Sequence, residues 1–533
     1  MKARPFLAAV LAAALALLSL GAAGWWLLWQ RGPLALQNQA LSLPLAARFV
    51  PRTAPLSLHW LLSPEQPAAY ARAVAPPRQR RQAAAAADRL RDAAFAAAGL
   101  DYPTELASWL GRESSFALLT PPGGDEAPGW VLALRSRDSD GARRFLQRFW
   151  QSRSLAGTDL QISSYRGMGL ISGRGALLGQ DPQPLATALI NDELVLIASG
   201  RGVLEQALDV SQIDELNQAA SASLQQAVTR LDHGVALLTA RPQAMRQWLG
   251  LPLAEEEPET PGVAVELVAA LSPARRGLQV EAFTQLREPL PALPAPPAAL
   301  LDQLQVPSAS LALLSAPAGL LQPDPGPWGA LLGPVLQQAL ARMPGSMPAL
   351  VAAADQGPLL WAQPAEGWLL GTAADQPSLE QVQEALAAEG YSASPLQSGG
   401  LSLQAWTRLQ SRPVKGNPDQ LQAQLAGARS LQAPWAWWGQ GLAVLNRLDE
   451  GHHPPQQRLE QLQALAMPEA PFQWAMDGAT ARALIADWQP WRLVSALSST
   501  PLTTLVNGAA MGLDVDRDAA RSLRLRAQLQ LQG

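Results

Sequence analysis

A chain of 533 residues, 48% hydrophobic and 16% charged, is too long for one ordinary core and too apolar to be disordered, so two or more globular units are expected. A formal net charge of −4, with Lys2 and Lys415 the only lysines, gives no broad electrostatic reason to bind nucleic acid. The absence of cysteine excludes disulfides, thiolate nucleophiles, thiolate metal sites and a lipid-modified N-terminal cysteine.

The chain opens with MKARPFLAAVLAAALALLSLGAAGWWLLWQR, in which Lys2 and Arg4 precede an uncharged run from Pro5 to Gln30. A helix of that length crosses a bilayer core of about 30 Å. Trp25, Trp26 and Trp29 sit at its far end, where indole rings favour the headgroup interface, and the early basic residues favour a cytoplasmic N-terminus. Residues 1–30 therefore read as a single-pass anchor with the body outside the cytoplasm. The small residues Gly21 to Gly24 keep a cleaved signal peptide open as the alternative. Residues 31–46 read as a linker.

From Arg48 a globular pattern begins, and it recurs. RFVPRTAPLSLHWLL is echoed by QVPSASLALLSAP around Val306, each placing Val-Pro before an alternating apolar strand. GWVLALRSRDSDGARRFLQRFWQ reads as strand, turn and helix, and GWLLGTAADQPSLEQVQEALAAEGY repeats it with Trp368 in the place of Trp130. DELVLIASGRGVLEQALD and GVALLTARPQAMRQWLG have later counterparts at similar spacing in the same order. Each half closes on two long alternating segments, 263–271 with 277–286 and 503–515 with 519–531. Two duplicated units are therefore expected, 47–289 and 303–533, separated by the Pro-rich stretch 290–302.

Within the units, Ala142, Phe145, Leu146 and Phe149 fall on one helical face, with Arg143, Arg144 and Arg148 turned outward. DLQISSYRGMGLIS reads as a hairpin around an Arg-Gly turn. The fold class is α+β, with largely antiparallel sheets and packed helices. RFVPRTAPLSLHWLL, AGLDYPTELASWLGRESSFALLT and the strand-turn-helix stretch continued through AGTDLQISSYRGMGLI resemble an uncharacterised family of cyanobacterial membrane-anchored proteins, classed as a domain of unknown function. The resemblance is clearest between Arg48 and Asp209. It brings no activity or site, and it implies a body facing the periplasm or the thylakoid lumen.

The motifs favour architecture over chemistry. RSRDSDGARR has one glycine and no lysine, so Ser139 or Asp140 as a helix cap explains it better than a phosphate cradle does. Its counterpart offers a capping box of Ser378 and Gln381. Gly200 and Gly202 imitate a dinucleotide fingerprint, but Glu205 occupies the third glycine position and would repel a pyrophosphate. Asp449, Glu450, His452 and His453 lie close together, yet adjacent histidines rarely share an ion, and Glu255 to Glu259 lacks the spacing of a calcium loop. No nucleophile signature is present, and His59 and His233 are what a dispersed triad would have to use.

No catalytic residue, metal ligand or cofactor is assigned, and an enzyme is not favoured. The unusual feature is tryptophan, 18 residues against 8 Phe and 4 Tyr. In APWAWWGQGL, Trp435 and Trp437 share one strand face and Trp438 takes the other. Core packing explains such a strand; an exposed face would make Trp435 and Trp437 a candidate partner-binding platform. The expectation is a non-catalytic, membrane-tethered binding or assembly protein whose partners are the membrane and membrane proteins. A carrier holding an apolar ligand between the halves and a hydrolase with a dispersed site are the alternatives.

Overall fold

The computed structural model describes residues 32–120, 128–153, 160–175, 177, 181–251, 264–304, 306–322, 326–414, 417–449, 456–497, 502–516 and 519–531. The expected anchor, with Trp25, Trp26 and Trp29, lies outside them, and among the described residues no helix is long and apolar enough to cross a membrane.

The described chain enters as a strap. Pro33–Asn38 and Leu45–Phe49 are short 3-10 helices, and Leu36, Ala46, Ala47 and Phe49 are buried. The strap is held by backbone pairing of Ala40 with His233 and by the Glu113 carboxylate, which accepts from the Leu45 and Ala46 amides at 3.0 and 2.8 Å. Residues expected as linker are thus packed, because their apolar side chains have a sheet to lie on.

The first half then runs β1 (Leu56–Trp60), α1 (Gln66–Val74), α2 (Arg80–Ala97), β2 (Leu110–Leu119), β3 (Gly129–Ser136), α3 (Ser139–Arg153), β4 (Gln161–Tyr165), β5 (Met168–Gly175), β6 (Gln183–Ile190), β7 (Leu194–Ala198), α4 (Arg201–Gln212), α5 (Ala222–Leu231), β8 (Ala236–Ala240), α6 (Pro242–Gln247), β9 (Ala264–Ala274) and β10 (Gly277–Leu286). After α7 (Ala298–Asp302) the second half runs β11 (Ser310–Ser315), α8 (Pro317–Leu321), α9 (Gly326–Ala341), α10 (Met347–Ala354), β12 (Pro358–Gln363), β13 (Leu369–Ala373), α11 (Leu379–Ala388), β14 (Ser392–Ser398), β15 (Leu401–Val414), β16 (Asn417–Gln432), β17 (Trp435–Gly439), α12 (Leu442–Asp449), α13 (Gln456–Ala464), β18 (Phe472–Asp477), α14 (Gly478–Ala486), α15 (Gln489–Leu497), β19 (Val506–Val515) and β20 (Ser522–Leu531).

Every strand pairing among the described residues is antiparallel, so the fold is α+β. In the first half the strands lie in the order β4-β5-β6-β7-β3-β2-β1-β8-β9-β10. In the second they lie in the order β14-β15-β16-β17-β13-β12-β11-β18-β19-β20, the same route through ten strands. The last strands of the halves, β10 and β20, pair with each other, Gly277 opposite Gln530 and Gln285 opposite Ser522. Gly277 has φ 153°, and a Cβ there would stand 1.9 Å from the Leu529 carbonyl oxygen, so only glycine permits this approach. At the middle of the pair Glu281 faces Arg526 and also accepts from Arg524 Nε at 2.8 Å.

Each sheet is covered on both faces because its central strands are apolar on both. In β7 every residue is buried: Val195 and Ile197 join the cluster under α3, while Leu194, Leu196 and Ala198 join the one under α4. The α3 face predicted from sequence is buried as expected, with Arg143, Arg144 and Arg148 outside. The hairpin is also where the pattern placed it: Arg166 and Gly167, at φ 51° and 81°, close β4 on β5, and Gly399 and Gly400 do the same between β14 and β15. The Pro-rich stretch is packed rather than free, since Trp328 Nε1 donates to the Pro291 carbonyl at 2.8 Å and Leu290 is buried.

Candidate interaction surface

Trp435 and Trp437 are 8% and 1% exposed, in a cluster with Val444, Leu445 and Leu462 of α12 and α13. They form no platform. Period-two alternation identified their shared face, but the helices that follow β17 return to cover it. Gly371 on neighbouring β13 is matched to this packing, since a Cβ there would meet the Trp437 ring at 2.8 Å. Trp438, on the other face, stacks on Trp406 at 5.7 Å and donates from Nε1 to Thr372 Oγ1 at 3.1 Å.

The turn after β3 is a joint. Helix α3 starts at Ser139, so Ser139 and Asp140, expected as caps, lie in its first turn, and the Asp138 carbonyl accepts from the Ala142 amide at 3.0 Å. Ser378 does occupy the cap position of α11, but its side chain makes no capping bond, so the expected capping box is not formed. Gly200 holds φ 125° before α4, and Glu205 pairs with Arg201 at 2.7 Å instead of lining an anion site. Glu255 to Glu259 and His452 with His453 lie outside the described residues, and among those described no group of three or more His, Asp or Glu could hold a metal ion.

His59 is fully buried in β1. Its Nδ1 and Nε2 lie 2.9 and 3.1 Å from Ser115 Oγ and Ser57 Oγ, and Ser57 continues to Thr239 Oγ1 at 2.7 Å and Gln218 Oε1 at 3.1 Å. Burial holds its pKa down at about 4, against a smaller raising effect from Gln218, so the ring is neutral at pH 7. A serine beside a histidine is two-thirds of a hydrolytic triad, but among the described residues no carboxylate bonds to the ring, and both hydroxyls are buried. His233 is partly exposed and pairs with its neighbour Asp232 at 2.9 Å. Where a carrier would need a cavity between the halves, β10 and β20 are joined by continuous pairing, reinforced by Arg230 of α5, which stacks on Phe283 and pairs with Asp516.

What is exposed lies elsewhere. Helices α1 and α2 have no buried residue. Residues 66–97 carry six arginines, Arg72, Arg78, Arg80, Arg81, Arg89 and Arg91, against Asp88 and Asp92. Arg91 takes both acids, at 2.7 and 2.8 Å, and stacks on Tyr102. Among the described residues the other five arginines have no acidic partner. The strap packs on α1, where Gln37 Nε2 donates to Tyr70 Oη at 2.9 Å, and α2 packs against α15. An open groove of about 910 Å³ is lined by strap residues between Gly32 and Ser42, by Gln66 and Ala69 of α1, and by Arg112 and Glu113 of β2.

Beyond α2 the surface becomes apolar. Leu484, Trp488, Leu493, Val494 and Leu505 are exposed on and around α14 and α15, Leu493 by 54%. Trp488 Nε1 donates to the Leu249 carbonyl at 2.6 Å, bringing exposed Trp248 of the first half alongside. Sequence reasoning passed over this arm; the signal was an Ala-rich helix with arginine in excess over acid, which marks a solvated cationic face.

Residues 10–318 match the profile of a family described as a protein of unknown function, DUF3352. The chain belongs to that family. The DUF3352 match covers the strap, the arm and all of the first half, and stops within α8. No curated protein matches. Among solved structures the chain is similar to crystal form I of TP0453, at 9% identity over 47% of this chain and 81% of that one with a TM-score of 0.27. For crystal form III the values are 8%, 47%, 83% and 0.26.

Proposed function

We propose that this DUF3352 chain is a non-catalytic binding protein tethered to a membrane by residues 5–30, with its body outside the cytoplasm, and that its halves descend from one duplicated unit. The observation that carries the tethering is the arm: where the chain leaves its apolar run, the strap packs on α1, and five of the six arginines of α1, α2 and their connection have no acidic partner among the described residues. Tethering confines the body to membrane components and raises its effective concentration near them, which favours a weak binder. Burial of His59 with both ring nitrogens bonded to buried serines supports the non-catalytic reading. The identical route through ten strands supports the duplication. So does a shared local device: the Trp130 amide donates to Ser199 Oγ at 2.8 Å while its carbonyl accepts from the Ser199 amide, and Trp368 makes the same pair of bonds with Gln440.

The test is retention and sidedness of the full chain. Carbonate-washed membranes should keep it, and a reporter active only in the cytoplasm, fused after Gly533, should stay silent. Leu15→Arg with Leu18→Arg, each costing about 2.5–3.5 kcal/mol of insertion energy, should release or mislocalise the chain. Complete extraction of the unaltered chain, or a strong reporter signal, would contradict the reading.

A further inference from the structure

We propose that the arm and its neighbour α15 form a docking face for an anionic lipid surface, with the arginines of α1 and α2 at the headgroups and Trp488, Leu493 and Val494 entering the interface. The inference rests on the tethering reading above and adds a partner to it. Three observations converge on this face. The apolar run of the sequence ends at Gln30, two residues before the strap that packs on α1, so a bilayer holding that run lies next to the arm. The cationic charge is uncompensated in a chain that is acidic overall, since Arg72, Arg78, Arg80, Arg81 and Arg89 have no acidic partner among the described residues. The apolar side chains next to them are unlike scattered surface leucines. Trp488, Leu493 and Val494 cluster at one short helix whose exposed side also carries Arg492, the composition of a segment that lies in an interface plane.

An indole suits that depth because its ring is apolar and its N–H wants an acceptor. The Trp488 N–H is already satisfied by the Leu249 carbonyl, which fixes the ring at the seam between the halves with part of its surface outward. Juxtamembrane arginines gain most at anionic headgroups and lose the gain beyond a Debye length. The face should therefore engage vesicles containing phosphatidylglycerol and disengage from phosphatidylcholine alone.

The absence of cysteine makes the test direct, because one introduced cysteine carries one label. The full chain with Leu493→Cys, and separately with Leu421→Cys on exposed β16, is nitroxide-labelled and reconstituted into vesicles of equal parts phosphatidylcholine and phosphatidylglycerol. At position 493 collision with oxygen should exceed collision with a water-soluble nickel chelate, and at 421 the order should reverse. Changing Arg72, Arg78, Arg81 and Arg89 to Gln, or omitting phosphatidylglycerol, should restore nickel access at 493. Nickel access at 493 equal to that at 421 in anionic vesicles overturns the inference, as does a label shielded from both reagents, which would mean a protein contact. Flotation separates the two levels: a chain that fails to float with vesicles after carbonate overturns tethering itself, whereas a floating chain with a wet position 493 overturns only the docking face.

Discussion

The helices inserted between the first two strands of each half differ in use. In the first half α1 and α2 have no buried residue, whereas in the second α8, α9 and α10 bury Leu320, Trp328, Leu336, Leu340, Met347 and Val351 against the sheet. The cause lies in the neighbouring helix. On the first sheet α3 buries Phe145, Leu146, Phe149 and Trp150, and the segment around Leu100, Leu106 and Trp109 fills the remainder. On the second, α11 contributes only Val382 and Leu386, so the inserted helices complete the burial of Trp368, Trp406 and Trp438. One insertion is core and the other is released to carry charge.

Truncation gives the largest expected contrast. Trp328→Ala should cost about 3–5 kcal/mol, because it opens a cavity against Phe472, while Leu90→Ala on α2 should cost less than about 1 kcal/mol. Denaturant unfolding measures both, and equal costs would erase the distinction. Trp437→Ala belongs with the first class, since its ring is core.

The two halves should also respond to acid with opposite signs. His59 in the first half has its pKa lowered from 6.5 to about 4 by burial, so the unfolded chain takes up the proton first. Its stabilising effect is full above pH 6.5 and is lost as pH falls towards 4, by at most about 3 kcal/mol. Asp355 in the second half has its pKa raised from 3.8 to about 6 by burial, with Asp375 adding to the effect and the Gly357 amide opposing it. There the folded chain holds the proton more tightly, so stability falls as pH rises from 3.8 through 6. Asp355→Asn should accordingly stabilise at pH 7 by up to about 2–3 kcal/mol and remove that slope, and His59→Gln should remove the other. Unfolding midpoints between pH 4 and 7 decide it; unchanged slopes would contradict both assignments.

The junction should matter least. Glu281 with Arg524 and Arg526 is partly exposed, so Glu281→Gln should cost no more than about 1 kcal/mol, and the β10–β20 pairing should survive it. Separate unfolding transitions in that variant would show that the ion pairs, rather than the strand bonds, unite the halves.

The elements legible in the sequence were those set by short-range periodicity. The buried face of α3, the Arg166-Gly167 turn and the limits of β10 follow from spacing and turn chemistry alone. The fate of Trp435 and Trp437 did not, because alternation says which side chains share a face and nothing about what covers it. The covering helices come later in the chain. The strap was hidden for a related reason: Leu36, Ala46 and Phe49 are too sparse to show a period, and they are buried only because β1 and β2 supply a surface. Asp355 looks like any loop acid until its second oxygen is seen buried without a partner.

Hydrogen exchange on the full chain in membranes, resolved by peptide, tests the released arm most directly. Amides of residues 66–97 should exchange by local opening, much faster than those of residues 326–354, whose protection should approach that of the sheet. Equal, sheet-like protection of both helical insertions would contradict the account.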